Sequence, residues 1–346
     1  MPLTLITLEK DGRSNMEKLL EIKDLHVSFN LPEGQSKVLH GINLDIKKNE
    51  VFGLVGESGC GKSVTALSIL QLLPKNAESS GEILLYTEKE TLNISNLKPT
   101  DEKMRQIRGN DISMVFQEPA ASFSPVYTIG EHMIENIILH KDVPEKEARN
   151  IALEMLSKVK IPDPQTTIDA YPFELSGGML QSCMIAMALS CNPMILIADE
   201  PTTALDVTLQ AQILYLMKEL QKDFQSSIIF ITHDLGVIAQ MADRVAVMYL
   251  RRIVEEASVF EIFNNPFHPS TRSLLLSIPK FGTRKSRLEA IKGVVPDPFN
   301  MPKGCKFHDR CPDYMEGVCN INEPETVTVT ESHSVECFLY GGRSNE

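Results

Sequence analysis

The sequence predicts an α/β protein built around a phosphate-binding loop, and three stretches carry that prediction. The first is VFGLVGESGCGKS at residues 51–63, an apolar run passing directly into Gly56-Glu57-Ser58-Gly59-Cys60-Gly61-Lys62-Ser63, which fits G-x-x-x-x-G-K-[ST]. The second is MILIA at 194–198, a buried strand leading into Asp199-Glu200. The third is SIIFIT at 227–232, another buried strand, ending at His233. Short apolar strands that deliver polar residues at their carboxyl ends describe a sheet that gathers its ligand along one edge.

In the first stretch the glycines let the backbone curl so that successive N–H groups point inward, and the helix expected over 63–73 turns its positive end to the same anion. Lys62 then reaches the β and γ phosphates, and the Ser63 hydroxyl ligates Mg²⁺. A glycine-rich turn without a ligand is the plainer alternative, but a strand before it and a helix after it favour the phosphate loop. The carboxylates Asp199 and Glu200 read as one Mg²⁺ ligand and one base that activates water.

Bulk properties narrow the partners. A chain of 346 residues suits two or three compact units, and a net charge of −12 disfavours an electrostatic grip on nucleic acid or anionic lipid. Residues 1–16 form an N-terminal extension expected to be disordered; they lack a signal-peptide core, and Met16 is an alternative start. No apolar run approaches the roughly 20 residues of a spanning helix, so any membrane role is peripheral. The seven cysteines read as thiols or metal ligands rather than disulfides.

Taken in order, 19–29 and 38–46 alternate apolar and polar residues as half-buried antiparallel strands, forming a small β layer. Phe29 is either an aromatic that stacks on a nucleotide base or a core residue. Residues 81–86 and 111–117 read as further strands, the latter ending at Gln117. The pattern turns helical across 126–192, where Glu174-Leu175-Ser176-Gly177-Gly178 opens an apolar helix and offers a second anion-binding N-terminus. Asp206 is the expected N-cap of a helix over 207–222, and 244–249 with 252–256 form a closing pair of strands. Prolines then recur, placing a boundary near residue 264.

This order and spacing resembles the ATP-binding-cassette (ABC) ATPases, from about residue 19 to the C-terminus. IRGNDISMVFQEP, ELSGGM, ADEPTTALDVTLQAQIL, ITHDLGVIAQMADRVAVMY and GCKFHDRCP look like the ATPase subunits of oligopeptide and dipeptide importers. The resemblance implies a RecA-like mixed sheet with an antiparallel β layer, an inserted helical subdomain at about 126–192 within a 17–264 cassette, and a cysteine-containing extension over 265–346. It implies that Phe29 stacks on adenine and that Gly56, Ser58, Gly59, Cys60, Gly61, Lys62, Ser63 and Val64 hold the ATP phosphates. Ser63, Gln117 and Asp199 would serve Mg²⁺, Glu200 would be the general base, and His233 would contact the γ phosphate. Ser176 and Gly178 would close over ATP held by a second cassette, with Asp206 at the contact between the two. The expected partners are that second ATPase subunit, two transmembrane permease subunits and, indirectly, an extracytoplasmic substrate-binding protein, at the cytoplasmic face of the membrane. Nickel or sugar as cargo, and a regulatory cassette with impaired hydrolysis, are the alternatives to a peptide importer.

The chain departs from the family at Leu180 and Ser182, where arginines are usual, at Leu250-Arg251, where a small residue and a glycine are usual, and at Ser270, in place of a tyrosine. The tail carries Cys305, Cys311, Cys319 and Cys337. Their spacing is not that of a zinc knuckle. The resemblance suggests a [4Fe–4S] ligand set, with Zn²⁺ or unligated thiols as the alternatives.

Overall fold

Two sheets meet at the phosphate loop in the computed structural model, which describes residues 17–203, 205–277, 293, 296 and 301–341. The N-terminal extension over 1–16 lies outside these. In chain order the strands are β1 (Lys18–Leu31), β2 (Gly34–Lys47), β3 (Val51–Gly56), β4 (Ala77–Tyr86), β5 (Thr91–Asn93) and β6 (Ile112–Val115). They continue with β7 (Ile195–Asp199), β8 (Ser227–Thr232), β9 (Arg244–Tyr249), β10 (Arg252–Ser258), β11 (Thr326–Thr330) and β12 (His333–Glu336).

The main sheet has the order β11-β12-β10-β9-β3-β8-β7-β6. Strands β9, β3, β8, β7 and β6 are mutually parallel, whereas β10, β12 and β11 extend the sheet antiparallel. Every residue of β3, β7 and β8 is buried, the signature of strands covered on both faces. Alternation divides β3 between two cores. Phe52 and Leu54 pack with Leu20, Ile22 and Ile42 of the antiparallel layer β2-β1-β4-β5, while Val51 and Val55 pack on the helical side. Burying each such side chain is worth about 1.5–3 kcal/mol, so the strand that delivers the loop is held from both faces.

Three longer helices fill the region between β6 and β7: Ile129–His140, Glu145–Lys158 and Gly177–Leu189. The first starts in a capping box, Thr128 with Glu131, which satisfies two otherwise orphaned donors. The helix after the phosphate loop is shorter than its apolar pattern predicts, Lys62–Ile69 rather than 63–73. It ends because Gln71 enters the left-handed region at φ 52°, which no continuing helix tolerates.

The tail holds more regular structure than its proline content predicts. A helix spans Pro269–Leu276, and β12 pairs with β10 at Val335–Glu255 and Ser334–Glu256, so the tail completes the main sheet. His333 sits in the seam, its Nε2 2.7 Å from the buried Glu255 carboxylate.

Candidate nucleotide and catalytic site

Sterics shape the phosphate loop before any ligand is considered. A Cβ on Gly56 would lie 2.2 Å from the Met248 carbonyl oxygen, and one on Gly61 would lie 2.6 Å from the Leu39 side chain, so β9 and β2 press directly on the loop. Gly61 also stands at φ 113° and caps the helix Lys62–Ile69 without a side-chain hydrogen bond. Among the described residues the first N–H groups of that helix therefore receive no side-chain cap, which leaves them for an anion.

A second support comes from the turn between β9 and β10. Leu250 and Arg251 adopt φ 38° and 75°, so this two-residue hairpin runs through the region glycine prefers. Its backbone braces the loop, because Arg251 N–H donates to the Cys60 carbonyl at 3.0 Å and the Arg251 carbonyl accepts from His40 N–H at 3.0 Å. Burial pushes the Cys60 thiol above its usual pKa, which keeps it protonated at neutral pH.

Lys62 is buried and folds over the loop, its ammonium donating to the carbonyls of Gly56 at 2.9 Å and Glu57 at 3.2 Å. The neighbouring Ser63 hydroxyl donates to Asp199 Oδ1 at 3.1 Å, joining the helix start to the carboxyl end of β7. Burial raises the Asp199 pKa, and the adjacent Glu200 charge adds to the shift; the Ser63 hydrogen bond and Lys62 oppose it. A buried carboxylate under that strain, beside a hydroxyl and above a phosphate loop, is suited to a hard divalent cation with oxygen ligands.

Glu200 follows Asp199 in a left-handed turn at φ 47°, locked because its N–H donates to the Ile231 carbonyl of β8 at 2.9 Å. One of its oxygens, Oε2, is the meeting point of three elements. Thr203 Oγ1 donates to it at 2.8 Å, Gln117 Nε2 donates at 3.4 Å, and His233 Nδ1 stands 3.3 Å away. Gln117 arrives just past β6 and His233 just past β8, so the parallel order β8-β7-β6 creates the cluster.

Lys62, Ser63, Asp199, Glu200, Gln117 and His233 are thus one connected group. Ser58, Gly59 and Val64 line the same loop and helix start, with Ser58 and Gly59 exposed. Ser176, Gly178 and Asp206 lie apart: among the described residues no hydrogen bond links them to that group. Ser176 is exposed and caps its helix by accepting from Met179 N–H at 3.3 Å. Gly178 faces the Leu209 side chain, 3.3 Å from where its Cβ would be. Asp206 is the N-cap of the helix Val207–Phe224, as its position predicts, accepting from Thr208 and Leu209 N–H. Phe29 in β1 is half-buried and is not among the residues packed in the core of its layer.

Two participants escape sequence reasoning. Thr203 was legible in principle, as a hydroxyl three residues beyond the candidate base. Arg310 was not: it comes from the tail, 253 residues away, and grips Glu57 of the loop.

In the tail all four cysteines are free. Burial pushes Cys305 to about 12 and Cys311 to about 11 and raises Cys337, and for these three the charge of neighbouring thiols opposes ionisation further. Among the described residues no group of three or more His, Cys, Asp or Glu side chains is arranged to hold a metal ion. Nor, among them, is any helix long and apolar enough to cross a membrane.

Residues 39–203 match a family model described as ABC transporter, and residues 254–319 match one described as oligopeptide/dipeptide transporter, C-terminal region. The chain is 47% identical over 330 residues to the dipeptide transport ATP-binding protein DppD of Bacillus subtilis, covering 95% of this chain and 97% of that protein. It is 47% identical over 326 residues to the oligopeptide transport ATP-binding protein AppD of the same organism, covering 94% and 98%. Among solved structures, the dimeric post-hydrolysis state of the ATP-binding cassette MJ0796 bound to ADP and phosphate is similar at a TM-score of 0.60 and 27% identity. It covers 70% of this chain and 99% of that one.

Proposed function

Because this chain belongs to the ABC transporter ATPases, and within them to the ATP-binding subunits of oligopeptide and dipeptide transporters, we propose that it energises peptide uptake by binding and hydrolysing ATP. It is an ATPase. The observation that carries the catalytic reading is the convergence of Gln117, Thr203 and His233 on one oxygen of Glu200.

Lys62 and the loop N–H groups hold the β and γ phosphates, with Phe29 against the adenine. Ser63 and Asp199, with Gln117 beyond them, would hold Mg²⁺, which neutralises phosphate charge when bound. Glu200 Oε2 takes the proton from the attacking water, and His233 orients toward the γ phosphate. Positioning and charge neutralisation supply most of the acceleration in such chemistry, which is why one side chain from each of several loops is enough.

Ser176 and Gly178 complete the site of a second cassette, and Asp206 lies at the contact between the two. The exposure of Ser176 supports this, as does the dimeric state of the similar cassette. The cassettes drive two transmembrane permease subunits from the cytoplasmic face, fed by an extracytoplasmic substrate-binding protein. Val126 and Leu139, both 71% exposed, and Phe116 beside Gln117 are exposed apolar side chains that the permeases could cover. The four tail thiols are proposed as ligands of an iron–sulfur centre. As thiolates, Cys305, Cys311, Cys319 and Cys337 would supply the four cysteine ligands that such a centre takes. Iron and labile sulfide in anaerobically purified protein test this, and a colourless, metal-free preparation overturns it.

The importer reading is tested by uptake of labelled di- and oligopeptides in cells lacking this chain. Loss of uptake, restored by the wild-type chain and not by Lys62→Ala, is expected. Unchanged peptide uptake overturns the cargo while leaving the ATPase intact.

A further inference from the structure

Glu57 is the second residue of the phosphate loop, where a carboxylate is electrostatically out of place beside a polyanion. Arg310 answers it. Its Nη1 donates to Glu57 Oε2 at 2.8 Å and its Nη2 to Oε1 at 3.0 Å, a two-pronged pair whose side chains are only 5% and 20% exposed. The guanidinium also donates to the Tyr249 hydroxyl at 3.1 Å and lies 5.7 Å and 5.9 Å from the ring centres of Tyr249 and Phe307. Those rings meet edge to face at 5.0 Å, so the tail plugs into the end of β9, the neighbour of β3.

The loop is therefore braced on three sides. Met248 blocks Gly56, Arg251 holds the Cys60 carbonyl, and Arg310 holds Glu57. Only the third brace comes from the tail. We propose that Arg310 is a positioning residue for ATP binding: through Glu57 it fixes the phosphate loop and cancels a charge that would repel the phosphates, making the cysteine-bearing tail a working part of the nucleotide site. This rests on the reading of residues 56–63 as the ATP site.

Leaving one partner of a shielded ion pair alone is worse than removing both, and that asymmetry supplies the test. Equilibrium ATP binding is measured on the full-length chain for wild type, Arg310→Gln, Arg310→Lys, Glu57→Gln and the double variant. Arg310→Gln is expected to weaken ATP by about tenfold or more, and Arg310→Lys by less, because a single ammonium supplies charge without the fork. Adding Glu57→Gln to Arg310→Gln should bring affinity back to within about threefold of wild type, which a merely structural role of Arg310 would not do. Wild-type affinity in Arg310→Gln, or a double variant as weak as that single one, overturns the proposal. If Arg310→Gln alone does not fold, the double variant is compared with Glu57→Gln: similar affinity supports coupling through Glu57, and a deficit of about tenfold overturns it. Failure of the wild type itself to bind ATP would instead overturn the nucleotide-site reading.

Discussion

His233 Nδ1 stands 3.3 Å from Glu200 Oε2, and the two residues come from different strand ends, β8 and β7. The same oxygen accepts from Thr203 and Gln117, and the backbone of Glu200 is held in a left-handed turn by Ile231. The proposed base, fixed by so many elements, is oriented before water arrives. Glu200→Gln keeps the size and most hydrogen bonds but cannot take a proton. Phosphate release should fall by about 10²–10⁴-fold while ATP affinity stays within about twofold. The protein should also accumulate as an ATP-bound dimer on size exclusion. Normal phosphate release in this variant would refute the assignment of the base.

Ser63 and Asp199 make a separate prediction, about the cation rather than the base. Their 3.1 Å hydrogen bond orients a carboxylate that burial would rather protonate. Ser63→Ala removes one proposed oxygen ligand and the hydrogen bond that orients the other, Asp199. The Mg²⁺ concentration giving half-maximal phosphate release should rise by about tenfold or more, a typical consequence of losing a supporting ligand. An unchanged Mg²⁺ titration with a lower maximal rate would place Ser63 outside the cation site.

Much of this was legible because the signals were local. The run SIIFIT predicts β8 to the residue, and the G-x-x-x-x-G-K-S spacing places Lys62 and Ser63. Strands β11 and β12 leave little trace in the sequence, because TVTVT and HSVE are short and β11 is largely exposed, so little apolar alternation marks them. Arg310 with Glu57 is a tertiary fact with no trace in sequence spacing. Ser270 gains a reason only in three dimensions: it is buried, and its hydroxyl meets His268 Nδ1 at 2.6 Å.

The family departures at Leu180 and Ser182 separate in the structure. Leu180 packs into the helical-side core at 6% exposure, whereas Ser182 is half-buried. Leu180→Arg exchanges a core leucine for a charge and should cost about 2–4 kcal/mol in thermal or denaturant unfolding. Ser182→Arg should stay within about 1 kcal/mol of wild type and, by restoring charge beside the Ser176 turn, raise phosphate release of paired cassettes a few fold, about 2–5. Equal stability of the two variants would mean that position 180 is not core.

His268 caps the helix Pro269–Leu276 with its ring almost fully buried, Nδ1 accepting from Ser270 N–H at 3.1 Å. Only the neutral ring can accept there. Burial, aided by Arg272 and opposed by Glu255, lowers its pKa from 6.5 to about 4. The unfolded chain therefore takes up a proton below about pH 6.5 that the folded chain refuses until about pH 4. Between those values the unfolded state binds more protons, so this contribution is complete above about pH 6.5 and is lost as pH falls, by up to about 1.4 kcal/mol per unit. His268→Asn keeps a side-chain oxygen for the cap and cannot titrate. Its absolute stability should be lower, because the ring's packing is lost, but its drop between pH 7 and pH 4.5 should be smaller than that of wild type by about 2 kcal/mol. Parallel pH profiles for the two proteins in denaturant unfolding would show that His268 is not the group being titrated.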